Sequence, residues 1–215
     1  QSRLTGPPAA DYTSAPFGPA AHHQPAGRTI ATESLNSTLG TENIIWNLAD
    51  LYPGSDDPAL AADLESHEAE AKEIRAGFAG HLAELDAAAL LELVGRLEKL
   101  EAGLGRIATF AFLNFAVNTK DAEASAFMQK VREAGSRVGK ETVFFELEWN
   151  RVSRERAEEL LNDPLLAPYR HYLAGLRRYA PHLLSDAEET LLIEKAPAGR
   201  GSWTTLFDKV MGHLK

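Results

Sequence analysis

Between Pro58 and Leu214 the apolar side chains of this sequence recur at steps of three and four, and no stretch alternates with the period of two that a strand requires. Leu90, Val94, Leu97, Leu100, Leu104, Ile107 and Ala111 fall on one face of a helix running from about Asp86 to Val117. Phe127, Val131, Ala134, Val138, Phe145 and Trp149 make a second stripe from about Asp121 to Val152. Each segment is about thirty residues, or about 45 Å at the helical rise. Isolated helices are marginal in water, and a stripe that long needs a partner of similar length to cover it. The sequence therefore predicts an all-α fold: an elongated helical bundle of about six to seven helices with two long central helices.

Punctuation residues set the other boundaries. Asp57 before Pro58 starts a first helix that closes near Gly80-His81. Ser153 caps a short helix through about Leu161, which Asn162-Asp163-Pro164 breaks. A further helix is expected from about Pro164 to Tyr179, ending before Pro181. Ser185 with Glu188 is a capping-box pattern opening a helix to about Lys195. Pro197 to Gly201 is a turn, and Ser202 to Leu214 is a last helix. Ahead of all this, Trp46 to Pro53 is a short apolar and aromatic stretch. Residues 1–43 are rich in proline, glycine and alanine, lack any period and predict a disordered tail, whereas 44–215 predict one helical lobe. No internal repeat is evident.

The formal charge is −9 and the pI about 5.3, so the surface repels phosphate backbones and anionic bilayers. Neither a nucleic-acid nor a membrane partner is expected. The absence of cysteine excludes disulfides, thiolate metal sites and a catalytic thiol, and fits a cytoplasmic protein. No run approaches the ~18 consecutive apolar residues of a membrane span, and no signal-peptide pattern precedes the helices. A first residue of Gln1 in place of Met suggests a truncated or processed chain.

Candidate chemistry is sparse. A zinc peptidase uses H-E-x-x-H, because histidines one turn apart hold the metal on one helix face while the glutamate polarises its water. His67-Glu68-Ala69-Glu70-Ala71 comes near, but the second ligand position is Ala71, and His67 is expected to be a solvated surface residue. His22-His23 lie in the predicted tail and supply too few ligands. His171 and His182 are too far apart for one helical site and are expected to be polar surface or capping groups. His81 and His213 sit near helix ends, where a histidine meets terminal carbonyls. Glu98, Lys99 and Glu101, and Glu146 with Glu148, are expected on the wet faces of amphipathic helices. Gly199-Arg200-Gly201 lacks the lysine and preceding strand of a phosphate loop, and no Gly-x-Ser-x-Gly elbow is present. Arg177-Arg178 is too small a basic patch for nucleic acid. No catalytic, cofactor-binding or metal residue is therefore assigned within the chain.

Four segments nonetheless arrive in a recognisable order. They are Trp46 to Pro53; Phe144-Phe145-Glu146-Leu147-Glu148-Trp149; Tyr169-Arg170-His171-Tyr172-Leu173 through Arg177-Arg178 to Pro181-His182-Leu183-Leu184-Ser185; and Glu188-Glu189 through Glu194-Lys195, Gly199 and Trp203 to Leu206-Phe207-Asp208. Together they resemble the N-terminal region of the oligoendopeptidase F family of zinc metallopeptidases. The resemblance implies a much larger parent protein in which this region is one wall and lid of a deep channel admitting short peptides. It also implies that zinc, its H-E-x-x-H motif and a third glutamate ligand belong to a C-terminal catalytic domain, the expected partner of this lobe, and that the present chain is inactive alone. Ala196-Pro197-Ala198 departs from the polar, helix-compatible link the family pattern suggests. Trp46, Phe145, Trp149, Trp203 and Phe207 are the large groups a helical core needs, and packing is their expected role. The alternative is a standalone helical module that binds a peptide or protein without cleaving it. A lobe of a larger protein should expose an apolar patch where its partner packs, and a self-contained module should not.

Overall fold

The computed structural model describes residues 47–117 and 119–214. The predicted tail, residues 1–43, and the segment Ile44-Ile45-Trp46 lie outside them. The described residues are helical, with no strand among them. Eight α-helices follow in order: α1 Pro58–Phe78, α2 Ala87–Val117, α3 Ala122–Thr142, α4 Phe144–Arg151, α5 Arg154–Asn162, α6 Arg170–Leu176, α7 Asp186–Lys195 and α8 Ser202–His213.

Each long helix starts where a short acidic side chain can take its free N–H groups. Asp57 accepts from Ala59 N–H at 2.9 Å, with Pro58 in the first turn. Asp121 accepts from Glu123 and Ala124 N–H at 2.8 and 3.1 Å. Ser185 and Glu188 form the reciprocal capping box of α7. Helix α1 ends at a turn in which Gly80 takes φ +87°, a conformation that penalises any side chain. The N–H groups freed there are held by Glu148, which accepts from Gly80 at 2.7 Å and Leu82 at 3.4 Å.

Helices α1, α2 and α3 pack side by side, and their stripes meet in two clusters. One joins Tyr52, Leu60, Leu64, Ile107, Phe110, Phe115, Met128 and Val131. In it Tyr52 donates to Asp63 Oδ2 at 2.7 Å and meets Phe110 edge-on at 5.5 Å, while the Arg106 guanidinium lies over its other side at 4.7 Å. Burial, then the hydrogen bond to Asp63, pushes the Tyr52 phenol up to about 12. The other cluster joins Ile74, Leu82, Leu93, Val138, Phe145, Leu166 and Leu173 around Trp149, whose side chain is 0% exposed. The Trp149 indole N–H donates to Leu173 O at 2.8 Å, and Arg177 donates to the carbonyls of Trp149 and Val152 at 2.6 and 2.9 Å. By length and composition alone α2 could cross a bilayer. Its apolar stripe, from Leu90 through Leu93, Leu97, Leu100 and Ile107 to Phe115, is instead buried in these two clusters.

Two predicted helices are subdivided. The second central helix breaks at Val143, where Thr142 Oγ1 donates back to the carbonyls of Val138 and Gly139 at 3.2 and 3.4 Å. Such back-bonding bends a helix. Beyond this point Phe144, Phe145, Leu147 and Trp149 are all buried. The helix expected from Pro164 to Tyr179 is three pieces: a 3₁₀ turn Pro164–Leu166, α6, and a 3₁₀ segment Arg177–His182. This path buries both Leu166 and Leu173 beside Trp149.

Candidate functional site

The near-miss motif resolves into packing. Ala71, at the second ligand position, is fully buried in the core beside Ile74. Glu68 accepts two bonds from Arg137, at 3.0 and 2.7 Å. His67 is not the solvated residue expected from sequence. It is half-buried, its Nδ1 bonds the Asp63 carbonyl, and its ring lies where a Cβ on Gly103 of α2 would be 1.8 Å from Nε2. Glycine at 103 thus makes room for an imidazole between α1 and α2. Among the described residues no three His, Asp or Glu side chains converge in a way that could hold a metal. His171 and His182 are exposed, and His213 Nδ1 meets Lys209 O at 2.7 Å, as a helix-end histidine should. His81 faces Glu84 at 3.7 Å. Arg177 is absorbed by backbone carbonyls, so Arg178 carries what is left of the small basic patch.

Helix α8 is turned the wrong way round for a self-contained bundle. Its bundle side is small and polar: Gly201, Thr205, Asp208, Lys209 and Gly212 are the half-buried positions. Arg132 of α3 donates to Gly201 O at 3.3 Å and to Thr205 Oγ1, and a Cβ at Gly212 would lie 2.4 Å from Thr119 Oγ1. The apolar residues Trp203, Phe207, Val210 and Leu214 share one face and point outward, with Leu206 and Met211 at its edges bordering the gaps against α2 and α3. Trp203 is 72% exposed, Phe207 62% and Leu214 74%. Packing within this chain is therefore the role of Phe145 and Trp149 but not of Trp203 and Phe207. Helix α7 buries none of its residues and adds exposed Leu191 and Leu192. The orientation follows from the link: Pro197 to Gly201 forms a wide π-type turn in which Gly201 N–H reaches back to Ala196 O at 3.0 Å. The unusual Ala196-Pro197-Ala198 stretch is part of that turn.

A concavity lies between α2 and the segment entering α6. It holds about 340 Å³, with Val94 and Leu97 as its floor and Glu98, Glu101, Tyr169 and Tyr172 as its walls. Tyr169 donates to Glu98 Oε2 at 2.6 Å, and that bond chiefly raises the Tyr169 phenol above its ordinary value. Burial raises Tyr172 too, with Glu146 and Glu101 adding to the effect. The Glu146 carboxyl on α4 is raised by desolvation first, then by Glu189 and Glu101. Glu101 and Glu146 are expected from sequence simply to line wet faces, and the charge of Glu101 is one of the smaller causes of the rise at Glu146; Glu148, by contrast, is the anchor of the Gly80 turn. The signal available in sequence was weak: Glu98 with Glu101 and Tyr169 with Tyr172 each share a helical face at i, i+3.

Residues 148–215 match the N-terminal family model of the M3 peptidases, described as oligopeptidase F. The last third of the chain is thus similar to the N-terminal region of the oligoendopeptidase F family. Two solved structures share the fold of this region. Oligoendopeptidase-F from Enterococcus faecium superimposes with a TM-score of 0.62 at 21% identity, covering 71% of this chain and 30% of that one. A candidate peptidase from Chlamydophila abortus gives 0.51 at 23% identity, covering 68% of this chain and 24% of that one. No curated protein sequence matches. The chain thus spans under a third of the length of the peptidase structures it resembles. Within the oligopeptidase F match lie Trp149, the capping box of α7 and the whole outward face of α8.

Proposed function

We propose that this chain is the N-terminal lobe of a peptide-hydrolysing oligoendopeptidase, and that the outward face of α8 is where the catalytic remainder of that enzyme packs. The observation that carries the proposal is the inversion of α8: an amphipathic helix with small and polar residues against its own bundle and Trp203, Phe207 and Val210 in solvent is arranged for a partner. The likeness of the lobe to under a third of an oligoendopeptidase supports the same assignment. A standalone binding module, the other expectation, has no use for a polar inner face.

The family implies zinc, and the described residues do not fit it: the His67–Glu68 pair is committed to packing and to Arg137, and the second ligand position is buried Ala71. Metal-assisted hydrolysis thus belongs to a part of the enzyme beyond this lobe. The lobe's own contribution is shape: a rigid wall that narrows access to the channel, admits short extended peptides and excludes folded proteins. The test is hydrolysis of a short quenched-fluorescence peptide by the 215-residue chain and by a longer protein that includes H-E-x-x-H. The longer protein should cleave, lose activity to a chelator and regain it with zinc, and the present chain should not cleave. Chelator-sensitive cleavage by this chain alone would overturn the proposal.

A further inference from the structure

Helix α8 is divided along its length into an apolar seam that faces out and a polar back that faces the bundle. Trp203, Phe207, Val210 and Leu214 follow at steps of four, three and four, the 3.5-residue repeat of the a and d positions in a heptad. The half-buried residues Gly201, Thr205, Asp208, Lys209 and Gly212 fall at b, c and f, on the opposite side of the helix. Leu206 and Met211 occupy flanking g and e positions and widen the seam. Charge divides the same way. Asp208 and Lys209, the two formally charged residues of α8, sit on the bundle side, and the exposed side has none. A helix covered by water keeps its charges outward. Helix α8 keeps them inward, so its outer half is built for an apolar neighbour.

The spacing identifies the neighbour. From Trp203 to Leu214 the seam runs about 17 Å at the helical rise. A strand laid along it would spread the matching three same-face steps over about 20 Å and lose register, whereas a second helix repeats at the same rise. Rows of side chains three and four apart also interlock with those of a second helix inclined by about 20°. The seam is bulky at Trp203 and Phe207 and slimmer at Val210 and Leu214, so close packing asks for small side chains opposite the two aromatics. We propose that one amphipathic α-helix from the catalytic remainder of the enzyme, about three turns long, lies along this seam with small side chains opposite Trp203 and Phe207. The identity of the occupant rests on the lobe reading above: α8 lies inside the oligopeptidase F match, and the Enterococcus faecium structure that shares this fold is matched over 30% of its length, which leaves ample chain to supply the helix. That the neighbour is a helix rests on the seam alone.

The test is photo-cross-linking within the longer enzyme, with benzoylphenylalanine in place of Trp203, Phe207 or Leu214, one position at a time, and the marked residues located by mass spectrometry. All three positions are exposed in the lobe, so its own folding is undisturbed. The marks should fall beyond residue 215 in one stretch of sequence, those from Trp203 and Phe207 about three or four residues apart and that from Leu214 about seven residues further on. Leu206 and Met211, at the edges of the seam, take the same reagent as a second set, which leaves the seam itself intact, and should mark the same stretch. Marks on alternate residues, or scattered over separate stretches, would overturn the helix and leave the docking reading standing. Marks within residues 47–214, whether of the same molecule or of a second copy, or no marks from any of these positions, would overturn both. The readout is the place of a cross-link, so the outcome does not depend on hydrolysis by the longer protein.

Discussion

Replacing Gly103 by alanine puts a methyl group where the imidazole of His67 now sits. The new Cβ would be 1.8 Å from Nε2, 2.7 Å from Cε1 and 2.8 Å from Cδ2, so the ring must leave and give up its bond to the Asp63 carbonyl. Overpacking of this kind costs about 1–3 kcal/mol. Against it stands the intrinsic preference of a helix interior for alanine over glycine, about 1 kcal/mol in the mutant's favour. The net expectation is a loss of about 0–2 kcal/mol, and it depends wholly on His67. In a His67→Ala background the obstacle is gone, and the same Gly103→Ala change should stabilise by about 1 kcal/mol. Thermal or urea unfolding of the four proteins in the cycle measures this, with about 2–4 °C in Tm per kcal/mol for a chain of this size. The coupling should be about 1–3 kcal/mol, above the few tenths by which independent sites deviate from additivity. An identical effect of Gly103→Ala in both backgrounds would refute the close approach of α1 and α2 at this point. It would also reopen His67 to roles other than packing.

The two described tryptophans should behave oppositely in the same unfolding assay. Trp149→Ala should cost about 3–5 kcal/mol through the cavity and the unpaired Leu173 carbonyl, whereas Trp203→Ala should stay within about 0.5 kcal/mol. A large loss at Trp203 would show that α8 is packed inward. Glu146 has a folded-state pKa raised by burial and by Glu189 and Glu101, so its ionisation opposes folding: the stability it permits is full below its unfolded pKa and is lost as pH rises through the folded value. Glu146→Gln should therefore raise Tm at pH 7, by no more than the few tenths of a kcal/mol that a solvent-screened like-charge contact is worth. The advantage should shrink as pH falls toward the carboxylate range. A destabilised variant at pH 7 would contradict the desolvation and like-charge repulsion assigned to Glu146.

The parts of this fold that sequence makes legible are those decided within one or two turns of chain. The stripe from Leu90 to Ala111 becomes the central helix, and Asp57-Pro58 and Ser185 with Glu188 cap helices as their chemistry demands. At the division beside Val143 the Thr142 hydroxyl bonds back to the carbonyls of Val138 and Gly139, a contact that a hydrophobic period does not register. His67 and Gly103 meet across two helices, and Glu98 meets Tyr169 across 71 residues, so neither pair is visible along the chain. The stripe on α8 is plain in sequence, but its spacing is the same whether its partner is the bundle or another part of a larger protein. Only the placement of Thr205 and Gly212 against α3 and Thr119 decides that Trp203 and Phe207 face outward. The pocket walled by Tyr169 and Tyr172 has the same origin, because its residues come together from α2 and α6.

The proposed docking role of α8 can be measured by mixing this chain with the separately expressed remainder of the proposed oligoendopeptidase and following association by sedimentation or calorimetry. Wild-type chain and a Trp203→Ser, Phe207→Ser variant would be compared. The account predicts a one-to-one complex that weakens by about tenfold or more in the variant, as loss of central aromatic anchors does, while the unfolding temperature of the variant alone stays unchanged. No association, or association indifferent to Trp203 and Phe207, would contradict it.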